Sequence, residues 1–209
     1  VEKIFRVLRD KDVSIADTNG VNLMDFYLRD GSSWEVDKEY IQTLRDAGFE
    51  QMVFPVESGS QRILKKYATN KVRLDRMNLL NLMSTMTEEG IQAPVNLMIG
   101  FPDEFEGEMS QTVDLGRKLR EAGAPYVTFF IPIPFPGSKL YDMAISGGHL
   151  DEDFDTDTFN WKRPVMKNTV VAPERIEEIR NIANEEVNSN DHLGKRLEQS
   201  MGHRWNSNE

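Results

Sequence analysis

Apolar positions along the chain fall into short runs, each separated from the next by a helical pattern that stops at a glycine. Val1, Ile4, Phe5 and Leu8 share one helical face, and a chain that opens inside an amphipathic helix reads as an internal piece of a longer protein. Alternation over 13–16 predicts a first strand, which Asp17-Thr18-Asn19-Gly20 ends in a polar turn. Residues 24–28 are apolar but short, and predict only an irregular segment or a turn of helix.

Asp37 is placed to cap a helix carrying Tyr40, Ile41 and Leu44 that stops at Gly48. The run over 52–57 predicts a second, buried strand ending on Glu57 and Ser58, after which Gly59 releases the chain into a helix over 60–68. A helix over 74–89 carries Leu74, Met77, Leu80, Met83 and Met86 at three-residue steps, a face suited to packing on a sheet. Gly90 ends it. Residues 95–99 form a third strand, terminated by Gly100-Phe101-Pro102-Asp103-Glu104. A helix over 106–122 turns Met109, Val113, Gly116 and Leu119 inward, and a fourth strand over 126–133 runs into a proline-rich loop. Helix, glycine, strand, repeated at Gly48, Gly90 and Gly123, predicts an α/β fold with a parallel sheet, either a βα-barrel or doubly wound.

Beyond Gly137 the pattern fails. Residues 138–145 suit a short helix that Gly147-Gly148 breaks. The acidic stretch 151–157 resembles a calcium loop, but Thr156 stands where glycine is needed and Lys162 where the bidentate glutamate is needed. It reads as a solvated acidic loop. Pro173 opens a last helix with Ile176, Ile179, Ile182, Ala183 and Val187 as its buried face, and residues from about 191 are polar and peripheral. The chain divides into residues 1–145, which carry the strands, and 146–209, an acidic loop and helical extension.

At 209 residues and 39% hydrophobic, the chain can bury one sizeable core. A net charge of −10 without a compensating Lys/Arg run argues against a nucleic-acid backbone as partner. No apolar run reaches membrane-span length and no signal-peptide core opens the chain, so a soluble cytoplasmic protein is expected. The absence of cysteine excludes disulfides, thiolate-held metal and a Cys nucleophile within these residues. His149, His192 and His203 lack paired metal-site spacing and read as surface residues. No phosphate loop, dinucleotide fingerprint or nucleophile elbow is present.

What remains is a rim of strand ends: Asn19, then Glu57 and Ser58, then Gly100 and Asp103, then the backbone of 130–132. Ligands collect at such ends, although Ser58 or Ser60 can equally cap the following helix and Glu57 can be a solvated carboxylate. Acids and amides without balancing arginines suit a zwitterionic nucleoside better than a phosphate.

Three phrases in order, Val-Glu-Ser-Gly-Ser-Gln-Arg-Ile-Leu from Val56, Asn-Leu-Met-Ile-Gly-Phe-Pro-Asp-Glu from Asn96 and Pro-Phe-Pro-Gly-Ser-Lys-Leu-Tyr from Pro134, resemble the radical S-adenosylmethionine superfamily. The subgroup with an upstream cobalamin-binding domain is nearest. The resemblance covers about residues 13–141 and implies a six-stranded partial (β/α) barrel, with its last four strands here. It implies that Glu57 and Ser58 contact the methionine moiety or ribose of S-adenosylmethionine, with Asn19 a polar neighbour. It further implies that Ile99 and Gly100 lie against adenine, with Asp103 closing the strand signature, and that Ile131 and Pro132 offer backbone to the adenine edge. The signature departs from its usual form at Asn96, Met98 and Asp103. The implied [4Fe–4S] cluster needs three cysteines, expected upstream of Val1 in the other half of the barrel, so the chain alone is expected to be inactive. The implied chemistry is reductive cleavage of S-adenosylmethionine and hydrogen abstraction from a substrate, with methyl transfer if cobalamin is used. A cluster-free binding or scaffold module built on the same half-barrel is the alternative.

Overall fold

Strand positions alternate between two environments, and this alternation places everything else. Phe54 and Val56, Val95 and Leu97, Val127 and Phe129 are all buried, while Pro55, Glu57, Asn96, Met98 and Phe130 between them are only half-buried. One sheet face therefore meets helices and the other meets a cleft.

In the computed structural model, the described residues are 2–188 apart from 12, 31, 32, 70 and 152; Val1, His192, His203 and the tail from 189 lie outside them. The elements in order are α1 Glu2–Arg9, β1 Ile15–Ala16, β2 Tyr27–Asp30, β3 Ser33–Val36, α2 Lys38–Asp46, β4 Phe49–Gln51, β5 Phe54–Glu57, α3 Gln61–Tyr67 and α4 Leu79–Glu88. They continue as β6 Val95–Met98, α5 Glu106–Glu121, β7 Val127–Phe130, α6 Lys139–Ser146 and α7 Pro173–Val187. β5, β6 and β7 pair in parallel with β6 central, and β1 pairs in parallel with β4. The two sheets are continuous in hydrogen bonding, because Met52 N–H donates to Gln92 O at 2.9 Å and Phe54 N–H to Pro94 O at 2.7 Å. β4 and β5 are thus one strand interrupted at Met52–Val53. The fold is α/β with parallel strands, and among the described residues β1 has a strand neighbour on one side only.

Boundaries moved where a side chain captured the backbone. The helix expected over 74–89 starts at Leu79, because Asn78 caps it through Asn81 N–H at 3.0 Å and Gln61 accepts from Leu74 N–H at 2.7 Å. The strand expected over 126–133 stops at Phe130: Pro132 has no N–H, and that of Ile131 donates to Trp161 O at 2.9 Å. The segment over 24–28, expected to be irregular or a turn of helix, begins in a single 3-10 turn, Leu23–Phe26, and from Tyr27 enters the antiparallel hairpin β2–β3, in which Arg29 faces Trp34 and its guanidinium lies 5.5 Å from the indole centroid.

Helices α4, α5 and α7 supply Leu82, Met83, Met86, Met109, Leu119 and Ile176 to the main core, so Met77, Met83 and Met86 pack as expected, while Leu80, expected on the same face, is exposed and Leu82 is buried in its place. On α7, Ile182 is exposed rather than buried, and Asn184 and Asn188 face the sheet in its place. A smaller cluster of Ala144, Leu150 and Met166 anchors the segment after α6. His149 sits there half-buried, with Nδ1 3.0 Å from Lys167 O. Asp153, Asp155 and Asp157 are solvated as expected. No helix among the described residues is long and apolar enough to cross a membrane.

Candidate functional site

The half-buried sheet face opens into a cleft of ≈ 1100 Å³. Asn19 comes from the end of β1, Pro55 and Glu57 from β5, Asn96 and Met98 from β6, and Phe130, Ile131 and Pro132 from the end of β7. Tyr67, Lys71 and Phe101 line it from the loops and α3, and Phe135 and Trp161 from the segments that follow β7.

Asn19 is held in place by Asp17, whose carboxylate accepts from Asn19 N–H at 3.3 Å, Gly20 N–H at 3.0 Å and Val53 N–H at 3.3 Å. One side chain therefore fixes the β1 turn and ties it to β5.

Glu57 is the unusual member of the cleft. Its φ is +71°, Ser58 N–H donates back to Val56 O at 2.9 Å, and the β5–β6 register slips between Pro55 and Glu57. This is a γ-turn with a left-handed central residue, a strained conformation for any side chain except glycine. Its Oε2 is buried with no hydrogen-bond partner among the described residues. Burial raises the carboxyl above its ordinary pKa, and the charge of Lys71 opposes this in part.

Ser58 is buried outside the cleft. It shares a 3.2 Å hydrogen bond with Thr112 Oγ1 and accepts from Ser60 N–H at 3.0 Å, while Ser60 caps α3. Gly59 lets this loop approach α5, since a Cβ there would lie 2.4 Å from Gln111 O. Ile99 is also buried, its N–H donating to Phe130 O at 2.9 Å. Gly100, at φ +103°, packs against Ile176, and a Cβ would come within 2.5 Å of that side chain. Neither Ile99 nor Gly100 lines the cleft. Their turn is held by Glu104, whose Oε2 accepts from Gly100 N–H at 2.7 Å and Phe101 N–H at 3.1 Å.

Asp103 reaches the cleft only through a neighbour. It accepts from Arg62 at 2.8 Å, Lys66 at 2.6 Å and the Tyr67 hydroxyl at 2.6 Å, and Tyr67 stacks on Phe101 with centroids 4.5 Å apart. Although partial burial disfavours its charge, the hydrogen bonds from Lys66, Tyr67 and Arg62 prevail and hold its carboxyl down at about 2. Of the eight residues singled out in the sequence, the structure brings Asn19, Glu57, Ile131 and Pro132 to one cleft and places Ser58, Ile99, Gly100 and Asp103 behind it. Asn96 and Met98 were legible as strand residues of the opposite phase to Leu97. Trp161 had no sequence signal.

The fold and cleft define an α/β protein in which parallel strand ends converge on a cleft lined by one acid, one lysine, amides and apolar walls. Comparison with known proteins narrows this class. No family model matches the chain. It is 28% identical over 143 residues to an uncharacterized methyltransferase of Pyrococcus horikoshii, covering 66% of this chain and 28% of that protein. It is 25% identical over 170 residues to the cytidylyl-2-hydroxyethylphosphonate methyltransferase of Streptomyces wedmorensis, covering 78% and 29%. A tRNA-2-methylthio-N(6)-dimethylallyladenosine synthase of Pelotomaculum thermopropionicum is 28% identical over 94 residues, covering 45% and 21%. These relatives are enzymes, and the chain spans less than a third of the length of each.

Proposed function

We propose that the chain forms the nucleoside-binding part of a cytoplasmic radical S-adenosylmethionine enzyme, with methyl transfer as its reaction class and a partial (β/α) barrel as its frame. The sequence resemblance supports this, as do the methyltransferase names of two relatives. The observation that carries it is Glu57, strained and with an unpartnered oxygen, in the same cleft as Ile131 and Pro132.

The residues present fit the nucleoside. Glu57 accepts hydrogen bonds from an amine or ribose hydroxyls, Asn19 and Asn96 supply amides, and Met98, Ile131 and Pro132 exclude water from the adenine. S-adenosylmethionine, when bound, supplies an activated methyl group and, on reductive cleavage, the means of hydrogen abstraction. The residues present do not fit a [4Fe–4S] cluster: the chain has no cysteine, and the described residues hold no group of three or more His, Asp or Glu placed to bind a metal. Its ligands, on this reading, are residues outside these 209, and cobalamin use rests on the resemblance alone.

The test is calorimetric titration of the chain with S-adenosylhomocysteine, which needs no cluster. Saturable binding is expected, weakened about tenfold in Glu57→Gln through loss of a charge-assisted hydrogen bond. No binding, or equal binding by the variant, would remove the reading.

A further inference from the structure

We propose that the aromatic wall of this cleft is a second heterocycle subsite, which takes the nucleobase of a small nucleotide-linked substrate. The proposal rests on the strand-end nucleoside reading only for where the first heterocycle sits.

Two large rings line the cleft yet remain mostly in water: Trp161 is 57% exposed and Phe135 54% exposed. Both are held in place without being covered. The Trp161 carbonyl accepts from Ile131 N–H at 2.9 Å, and its ring meets Phe130 at 78° with centroids 6.4 Å apart. Phe135 meets Phe159 at 80° and 5.5 Å, on a loop stiffened by Pro134 and Pro136. Perpendicular packing fixes each ring at one contact and leaves more than half its area free. Ordered, solvent-facing aromatic surface of this kind marks a binding site rather than a core.

The cation that shares the cleft with the rings selects the ligand. Lys71 lines the cleft, a cation on a chain whose net charge is −10. Its charge also acts on Glu57, across the cleft lining. Exposed rings in a cleft that also holds Lys71 match a stacked base with phosphate in the same cleft. The overall negative charge repels a polyanion but not one or two phosphates, which favours a small nucleotide over RNA.

The test is titration of the full chain with cytidine and adenosine 5′-diphosphates, with ribose 5-phosphate as the baseless control. Saturable binding of the nucleotides alone is expected. Trp161→Ala should weaken it about tenfold, the scale of one stacked base, while Trp161→Phe recovers most of the affinity. Lys71→Gln should weaken binding several-fold and flatten its salt dependence. Equal binding by Trp161→Ala overturns the proposal. So does competition between S-adenosylhomocysteine and the diphosphates, which would assign the rings to the first nucleoside, and so does tighter binding of a short RNA than of the free nucleotides. Nucleotide binding that depends on Trp161 without any S-adenosylhomocysteine binding supports the aromatic subsite and overturns the strand-end reading instead.

Discussion

Glu57 combines a left-handed backbone, a buried oxygen without a donor and a raised pKa, and each disfavours the folded state. A residue so placed for packing alone would be replaced by glycine at no loss. Glu57→Gly removes the strain and the buried carboxyl but gains chain entropy in the unfolded state, so urea unfolding is expected to show stability unchanged or higher by about 1 kcal/mol. The same variant should lose S-adenosylhomocysteine binding. A fall of more than about 2 kcal/mol would instead make the carboxylate a structural group. Where the carboxylate accepts from a ligand amine, affinity should rise with pH through its raised pKa, since burial keeps it protonated above the ordinary range.

At the scale of elements, β7 shows how the sheet ends. The outward N–H and C=O groups of an edge strand invite pairing with another chain, and here α7 answers them with side-chain amides. Asn188 accepts from Val127 N–H at 2.9 Å and donates to Val127 O at 2.7 Å, while Asn184 makes the same two bonds to Phe129 at 3.3 Å. Arg180 adds a 2.9 Å bond to Phe129 O. Asn188→Ala strands two buried backbone groups and should cost about 2–4 kcal/mol in urea unfolding. Asn184→Ala, losing longer bonds backed by Arg180, should cost about 1 kcal/mol. The double variant should dimerise through β7 on size exclusion. None of this was legible in the sequence, where spacing of four along a helix reads as a polar face. Element order was legible, because periodicity and glycine stops are local, and so were Glu57 and Ile131 as strand ends. Trp161 is placed by a backbone bond to Ile131 and a ring contact with Phe130, and Arg29 meets Trp34 across the hairpin β2–β3; these are contacts that no local pattern encodes.

For the molecule as a whole, the two sides of the β6–α5 turn titrate in opposite directions. Burial lifts Glu104 to about 7 despite bonds from Gly100 and Phe101 N–H, with Glu108 raising it further and Arg62 opposing. Between its unfolded value near 4.5 and about 7, the folded chain holds a proton that the unfolded chain releases, so raising the pH through this window destabilises the fold. The full effect is about 3 kcal/mol, and buried Glu57 adds to it in the same direction. Asp103 and Glu108, held down at about 2 by hydrogen bonds that include those from Arg62, act on the acid side. Their contribution is complete above their unfolded values and is lost as pH falls through about 2. Stability should therefore peak near pH 5 rather than at neutrality, and urea midpoints taken from pH 3 to 8 should trace an asymmetric dome. Glu104→Gln keeps an acceptor for the two amides but cannot ionise, so it should flatten the limb between pH 5 and 8 and leave the acid limb in place. A variant that retains the wild-type slope on the neutral side would show that Glu104 does not hold its proton in the fold.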